Sequence, residues 1–206
     1  MRIIAGHAGG RRLAAPPAGT RPTTDRVREA LFSSLDAHVR ERQGGWGDVA
    51  VLDLFAGSGA VGLEAMSRGA RAATLVERDR RCLDVLRRNA AAVDSRARVV
   101  AADATAWRPE GGPYDLIYVD PPYALADDQV RALLSSLRAH GAVRPGALAI
   151  VERSARSPEP WPDSGWEQLR KRDYGDTSLW YGQASPTEVG EPVRPRLRGA
   201  AEIGEA

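Results

Sequence analysis

Residues 49–59, with the sequence VAVLDLFAGSG, join a short aliphatic run to a glycine-rich loop. An apolar run of this length is typical of a parallel strand that is buried on both faces. Residues 116–123, LIYVDPPY, repeat the arrangement, with an aliphatic run that ends at Asp120. We therefore interpret both segments as loops at the carboxyl ends of buried parallel strands.

The chain alternates between predicted strands and helices from residue 49 onward, which indicates βαβ units and a mainly parallel sheet. The predicted strands are residues 49–54, 73–77, 98–102, 115–119 and 147–152, and the predicted helices between them are residues 60–68, 79–93 and 126–139. We expect a doubly wound, Rossmann-like α/β fold with strand order 3-2-1-4-5, in which the first and fourth strands lie about 4.8 Å apart. Both loops would then face one crevice, where such sheets bind ligands.

Additional elements are predicted at both ends of this core. Residues 2–5 and 11–14 predict an N-terminal β-hairpin, and a helix begins near Asp25. Near the C-terminus, residues 166–172 and 177–181 predict an antiparallel hairpin that closes one edge of the sheet. We predict three regions, which are a basic extension at residues 1–20, the main domain at 21–183 and a disordered tail at 184–206.

The charge distribution favours a polyanionic partner. The 206-residue chain carries a net charge of only +2, yet residues 1–28 hold six arginines against one acid, Asp25, a local charge of +5. A basic arm on a nearly neutral body is typical of nucleic-acid binding. The alternative is a solvated surface of an arginine-rich chain, since Lys171 is the only lysine.

The cysteine count and the hydropathy of the chain indicate the cellular compartment. The single cysteine, Cys82, excludes a disulfide framework and fits a reducing cytoplasm. The N-terminus does not resemble a signal peptide, and no run approaches the roughly 18 apolar residues of a membrane span. We therefore expect a cytoplasmic protein without a membrane partner.

The glycine loop predicts a nucleoside-bearing cofactor. Residues 57–62, GSGAVG, match the dinucleotide pattern G-x-G-x-x-G, and Glu77 lies 20 residues beyond Gly57. Asp53, however, would repel a pyrophosphate and attract the cationic end of S-adenosylmethionine. We favour S-adenosylmethionine over NAD or FAD, with Asp53, Phe55, Gly57 and Gly59 as cofactor-binding residues.

Two further acids end the second and third predicted strands. Glu77 is placed to accept hydrogen bonds from both ribose hydroxyls, and Asp103, with Ala104 beside it, to bind the adenine amino group. The alternative for both acids is a solvated or helix-capping role. For Asp79 the helix-capping interpretation is the better one.

Residues 120–123, DPPY, predict a site for a planar amine. An exocyclic base amine is a poor nucleophile because its lone pair is delocalised into the ring. The Asp120 carboxylate and the Pro121 carbonyl can accept both amine hydrogens and stabilise the positive charge that develops during attack. Pro122 stiffens the turn, and Tyr123 can stack on an extruded base, worth about 1–3 kcal/mol. The alternative is a Pro-Pro turn before the next helix.

Metal and thiol chemistry are disfavoured. The histidines His7, His38 and His140 show no metal-ligand spacing, and no cysteine joins them. Cys82 falls on an apolar helix face and is predicted to be core, which disfavours carbon-5 methylation of pyrimidines by a cysteine nucleophile.

The motifs together resemble the RsmD-type 16S ribosomal RNA (guanine-N2)-methyltransferases. The resemblance covers about residues 1–182 and lies in MRIIAG (1–6), RPT (21–23), EALF (29–32), DLFAGSG (53–59), GLEA (62–65), SRGA (67–70), DPPY (120–123) and YGDT (174–177). It implies a class I S-adenosylmethionine-dependent methyltransferase that modifies N2 of a guanine in small-subunit ribosomal RNA. We expect a monomer whose partner is 16S rRNA, or the small ribosomal subunit or its assembly intermediate.

The resemblance also implies roles for particular residues. Residues 120–123 match the family's catalytic loop, and Glu77 and Asp103 match its cofactor acids. The basic hairpin corresponds to its RNA-engaging extension, for which we predict contacts from Arg2, His7, Arg11, Arg12 and Arg21. The tail beyond residue 184 departs from the family pattern.

Three other functions fit parts of this pattern. A DNA adenine-N6 methyltransferase would use the same loop and basic arm. A protein-glutamine methyltransferase also methylates a planar amide, but usually has Asn where Asp120 stands. A non-catalytic RNA-binding assembly factor could retain the fold without the reaction.

Overall fold

The computed structural model describes residues 1–15 and 25–186, and its described part contains one seven-stranded sheet. The strands are β1 (Ala50–Leu54), β2 (Ala72–Glu77), β3 (Arg98–Ala101), β4 (Tyr114–Val119), β5 (Val143–Ser154), β6 (Trp166–Tyr174) and β7 (Thr177–Ala184). The helices are α1 (Asp25–Gln43), α2 (Ala60–Ser67), α3 (Arg80–Val93) and α4 (Asp127–Ala139), with a 3₁₀ helix at Trp46–Asp48.

The sheet has the order β3-β2-β1-β4-β5-β7-β6. The first five strands of this order are parallel, and β7 pairs antiparallel with both β5 and β6. This arrangement confirms the doubly wound sheet, the predicted order 3-2-1-4-5 and the C-terminal antiparallel hairpin.

Strand β5 begins at Val143, four residues before the predicted start. The missed residues Arg144, Pro145 and Gly146 are exposed, so they carry no apolar signal. They join the strand because Val143 pairs with Tyr114 of β4 across an irregularity in register. Likewise β7 extends to Ala184 because that residue pairs with Trp166.

Helices cover both faces of the sheet. Because successive side chains of a strand point to opposite faces, each central strand contributes apolar residues to the core on both sides. Val51 of β1 belongs to the core cluster that includes α1, α2 and α3. The next residue, Leu52, belongs to the cluster on the opposite face, which includes α4. This layering explains why the central strands read as continuous apolar runs.

The predicted N-terminal β-hairpin is reduced to a single antiparallel bridge between Arg2 and Arg12. The chain does turn back on itself, since Ile3 N donates to Arg11 O at 2.9 Å. A longer ladder does not form because the N–H groups of Ile4 and Ala5 donate to the carboxylate of Glu64 on α2, at 2.6 and 3.0 Å. The backbone hydrogen bonds that two strands would share therefore go to the body of the protein.

Residues 1–15, which we call the N-terminal loop, are firmly seated on α2. Gly6 has a φ of +84°, and a Cβ there would lie 1.8 Å from the carbonyl oxygen of Ser67. Ala8 N donates to Ser67 Oγ at 3.0 Å, and the side chains of Ile3 and Leu13 are buried. The N-terminal loop is thus packed against the body of the domain and does not project from it.

Across residues 1–15 and 25–186, none of the helices combines the length and apolar character that crossing a bilayer requires.

Candidate active site

A cavity of about 470 Å³ opens at the carboxyl ends of the central strands. This volume suits a small-molecule ligand, for which sites of about 300–1,000 Å³ are usual. Of the predicted site residues, the cavity is lined by Asp53, Phe55, Gly57, Glu77 and the four residues Asp120, Pro121, Pro122 and Tyr123.

Sheet register explains why the two predicted loops meet. Strands β1 and β4 are parallel neighbours, with Asp53 opposite Tyr118 and Leu54 opposite Val119. Asp120 therefore leaves the sheet beside the glycine loop, and its backbone N–H faces the carbonyl of Leu54 at 3.4 Å. The prediction that both loops face one crevice is confirmed.

The glycine loop is shaped by backbone conformations that favour glycine. Gly57 and Gly59 have φ angles of +54° and +79°, and Gly59 is the N-cap of α2. The Gly57 N–H donates to Glu77 Oε2 at 2.8 Å. The other oxygen of Glu77 accepts from the backbone N–H groups of Arg78 and Asp79 at 2.7 and 2.8 Å. The Glu77 carboxylate thus fixes the loop and the end of β2 in one geometry.

Asp53 is a buried acid beneath this loop, with 2% of its surface exposed. Burial raises the pKa of Asp53 from 3.8 to about 7, the hydrogen bond from Gly62 N–H opposes the rise, and the Glu77 carboxylate adds to it. The Gly62 bond is 2.9 Å long. A buried carboxyl with so high a pKa would gain from a cationic ligand, because a nearby positive charge favours its ionised form.

The segment that follows the DPPY loop is bound to β5. The buried guanidinium of Arg153 donates through Nη2 to Leu125 O at 2.9 Å and to Asp127 Oδ1 at 2.7 Å. Pro121 is buried, whereas Tyr123 is 59% exposed at the mouth of the cavity. An exposed ring at the entrance is suited to stacking on an incoming planar group.

Asp103 and Ala104 do not line the cavity. Asp103 Oδ1 accepts from the N–H and the hydroxyl of Thr105, and Oδ2 pairs with Arg78 at 2.8 Å. The hydrogen bonds from Thr105, helped by Arg78, lower the pKa of Asp103. Ala104 is buried in the core on the α4 face. Asp103 thus accepts three hydrogen bonds within the protein, and its predicted contact with an adenine amino group stays a prediction.

The predicted RNA-binding residues divide into three groups. Arg2, Arg11 and Arg12 are exposed on the N-terminal loop. His7 points its ring nitrogens at the carbonyl oxygens of Ser67 and Val93, both at 3.1 Å, and so helps to fasten the loop. Arg21 lies outside the described residues.

Several cavity residues were missed by sequence reasoning. They are Met1 and Val27 on one wall, Glu152 at the end of β5, and Tyr174 and Thr177 on the β6–β7 hairpin. Glu152 carried the same signal as Asp120, an acid directly after an aliphatic run, and could have been found by it. Met1 and Val27 carried no such signal because their contribution is a matter of packing.

Cys82 also borders the cavity, but its thiol has low nucleophilic reactivity. Burial raises the pKa of its thiol, and the carboxylates of Glu77 and Asp79 add to the rise. Because the thiolate is the reactive form, Cys82 is a poor nucleophile at neutral pH. Among residues 1–15 and 25–186, His, Cys, Asp and Glu side chains form no group of three that could hold a metal ion.

Comparison with known proteins places this chain among close relatives. Ribosomal RNA small subunit methyltransferase D of Escherichia coli K12 is 37% identical over 181 residues, covering 86% of this chain and 87% of the relative. The solved structure of the Escherichia coli protein yhhF superposes with a TM-score of 0.75 at 37% identity, covering 90% of this chain and 98% of the other. An RNA methyltransferase from Salinibacter ruber, solved with S-adenosyl-L-homocysteine, shares the fold at 17% identity and a TM-score of 0.58, covering 84% of this chain and 99% of the other.

The family described as Conserved hypothetical protein 95 matches residues 1–183. This range takes in the N-terminal loop, the glycine loop, the DPPY loop and the C-terminal hairpin. The chain therefore belongs to that family, the RsmD family that its motifs resemble.

Proposed function

We propose that this chain is an S-adenosylmethionine-dependent methyltransferase that modifies the exocyclic N2 of a guanine in the 16S rRNA of the small ribosomal subunit. The single observation that carries the proposal is the shared cavity of Asp53, Glu77 and Asp120. It joins a pocket suited to a cationic nucleoside to a loop suited to a base amine. The rRNA methyltransferase identity of the relatives supports the reaction class.

The residues present fit the cofactor. Asp53 offers a buried carboxyl that a positive charge would stabilise, and Glu77 offers acceptor oxygens at the end of β2. A Cβ at Gly57 would meet nothing within 4 Å, so the backbone at that glycine is open to a ligand. S-adenosylmethionine, when bound, would supply an electrophilic methyl group, whose bond to the positively charged sulfur breaks as an amine attacks in line, with S-adenosylhomocysteine as the leaving group.

The protein's part in the reaction is to position the amine and stabilise the developing charge. Asp120 and the Pro121 carbonyl would accept the two N2 hydrogens and direct the nitrogen lone pair into the cavity. As the new N–C bond forms, the amine becomes positive, and the Asp120 carboxylate that accepts its hydrogen would stabilise that charge. The surplus N2 proton then leaves along that hydrogen bond, and Tyr123 stacks on the extruded base.

The proposal is tested by offering tritiated methyl donor to undermethylated small subunits, naked 16S rRNA and DNA side by side. We expect label in rRNA, at N2 of one guanine after nucleotide mapping. Label in DNA adenine would establish the rival base methyltransferase, and label in no nucleic acid would favour the silent assembly factor. The same comparison shows whether an assembled particle is the substrate.

The Asp53 carboxyl predicts how cofactor affinity depends on pH. Because its pKa in the unliganded protein is about 7, the carboxyl takes up a proton as the pH falls below that value. A cationic ligand prefers the ionised form, so affinity should fall as the pH drops from 7.5 to 5.5, by up to about tenfold per pH unit. Calorimetry in buffers of different ionisation enthalpy should detect proton release below pH 7.

The matched control for this experiment is Asp53→Asn, which removes the titrating group and keeps the side chain's size. Its affinity should be lower but nearly independent of pH over the same range. A wild-type profile that runs parallel to that of the variant would contradict the role given to Asp53.

Exposed arginines of the N-terminal loop predict a salt-dependent contribution to RNA affinity. Deleting the loop would uncover the core around Ile3 and Leu13, so a charge-only variant is preferable. Replacing Arg2, Arg11 and Arg12 with Gln should weaken RNA binding and reduce the slope of log affinity against log salt by about 2. Cofactor binding should be unchanged. A salt slope equal to that of the wild type would exclude these arginines from the RNA interface.

A further inference from the structure

The structure places a second carboxylate beside Asp120. Glu152 directly follows Val151 of β5, and Val151 pairs with Val119 of β4, the residue before Asp120. Glu152 is still within β5, where it pairs with Leu179 of β7. Because parallel neighbours lie about 4.8 Å apart, Glu152 lies abreast of Asp120 at the end of the β4–β5 pairing. Glu152 is half-buried and lines the same cavity as Asp120 and Tyr123.

The carboxylate of Glu152 is held in place from within the sheet. The hydroxyl of Tyr118 donates to Glu152 Oε2 at 2.5 Å. Tyr118 is a buried residue of the core, so its hydroxyl is a rigid donor. This bond helps to fix the orientation of the carboxylate, which can accept about four hydrogen bonds in all.

Two adjacent acceptors match one base edge better than the others. Guanine presents its N2 amine and its N1–H side by side, so both neighbouring positions are donors. Adenine presents its amine beside N1, which carries a lone pair and no hydrogen. A carboxylate facing that second position attracts guanine and repels adenine, because two acceptors cannot hydrogen-bond to each other.

We propose that Glu152 is the residue that selects guanine, by accepting the N1–H of the base whose N2 amine is held at Asp120. Tyr118 is a positioning residue that orients the Glu152 carboxylate and does not touch the base. This inference rests on the proposed guanine-N2 methylation and adds to it the group that reads the base.

The test uses 2-aminopurine at the mapped target position, since this analogue keeps the N2 amine, lacks the C6 oxygen and carries a lone pair at N1 in place of the N1–H. Wild-type protein should have a kcat/KM for 2-aminopurine RNA about 10- to 100-fold below that for guanine RNA. Glu152→Gln should lose activity on guanine RNA. Its kcat/KM values for guanine RNA and 2-aminopurine RNA should lie within about threefold of each other, because the glutamine amide can donate to the N1 lone pair. Tyr118→Phe should narrow the ratio partially.

Controls separate this proposal from the function on which it rests. Glu167→Gln, which removes an exposed acid on β6, should leave the guanine to 2-aminopurine ratio unchanged, and cofactor calorimetry confirms that every variant is folded. If wild-type protein labels no guanine N2, the proposed function fails. If it labels guanine but Glu152→Gln keeps the wild-type ratio, or is inactive on both RNAs while it binds cofactor, only the Glu152 assignment is overturned.

Discussion

Replacing Asp120 with alanine is expected to reduce methyl transfer by roughly 10³-fold or more while leaving cofactor affinity within a few-fold. Removing one preorganised group that stabilises transition-state charge commonly lowers kcat by about 10²–10³. Asp120 also orients the amine, so both contributions are lost together. The measurement is single-turnover transfer to rRNA with saturating cofactor, alongside calorimetry of cofactor binding.

Two further variants make the Asp120 result specific. Asp120→Asn keeps one acceptor oxygen without the charge and should retain more activity than the alanine variant. Asp163→Ala removes an exposed acid away from the cavity and should behave as wild type. Near-normal turnover by Asp120→Ala would refute the assignment of the amine-binding loop.

Replacing Glu77 with alanine is expected to raise the cofactor dissociation constant by about 100-fold. Its carboxylate accepts from Gly57 N–H at 2.8 Å and from two further backbone N–H groups. It is also predicted to bind the ribose hydroxyls, and hydrogen bonds to a charged group are worth about 1.5–3 kcal/mol each. Both the ligand contacts and the geometry of the glycine loop would be lost, and calorimetry would report the change directly.

Glu77→Gln removes only part of these interactions. Glutamine keeps one acceptor oxygen, but its amide NH2 would face backbone N–H groups that the second carboxylate oxygen accepts from in the wild type. An intermediate dissociation constant is therefore expected, with a thermal stability between those of the wild type and of Glu77→Ala. If Glu77→Ala bound the cofactor within threefold of wild type, the ribose role would have to be assigned to another group.

The central fold could be predicted because its strands are buried on both faces. Continuous aliphatic runs such as residues 49–52 report burial directly, and the acid or glycine that follows marks the end of each strand. Helix capping could also be predicted from the local sequence. Asp79 caps α3, because its side chain accepts hydrogen bonds from Arg81 N and Cys82 N.

Elements whose hydrogen bonds go to distant partners could not be predicted in the same way. The N-terminal hairpin was over-predicted because nothing in residues 1–14 reveals that Glu64, sixty residues later, accepts the N–H of Ile4. The exposed start of β5 was missed because pairing with Tyr114, and not apolar content, defines it.

Only some of the residues that line the cavity could be predicted, because the sequence does not reveal tertiary hydrogen bonds. Acids at strand ends identified Asp53, Glu77 and Asp120, and the same rule would have identified Glu152. Asp103 satisfied the rule too, yet its carboxylate turns to Thr105 and Arg78. The rule finds acids at the correct edge of the sheet, and tertiary hydrogen bonding decides which of them line the cavity.

The seating of the N-terminal loop has a consequence for biosynthesis. The loop is synthesised before its partners Glu64, Ser67, Asn89 and Val93, which follow it by 59 to 86 residues. It must wait, undocked, until α2 and α3 have been synthesised and have folded against the sheet. The loop arginines that are predicted to contact RNA therefore take up a fixed arrangement only after α2 and α3 have folded, and a polypeptide truncated before α3 would not order them.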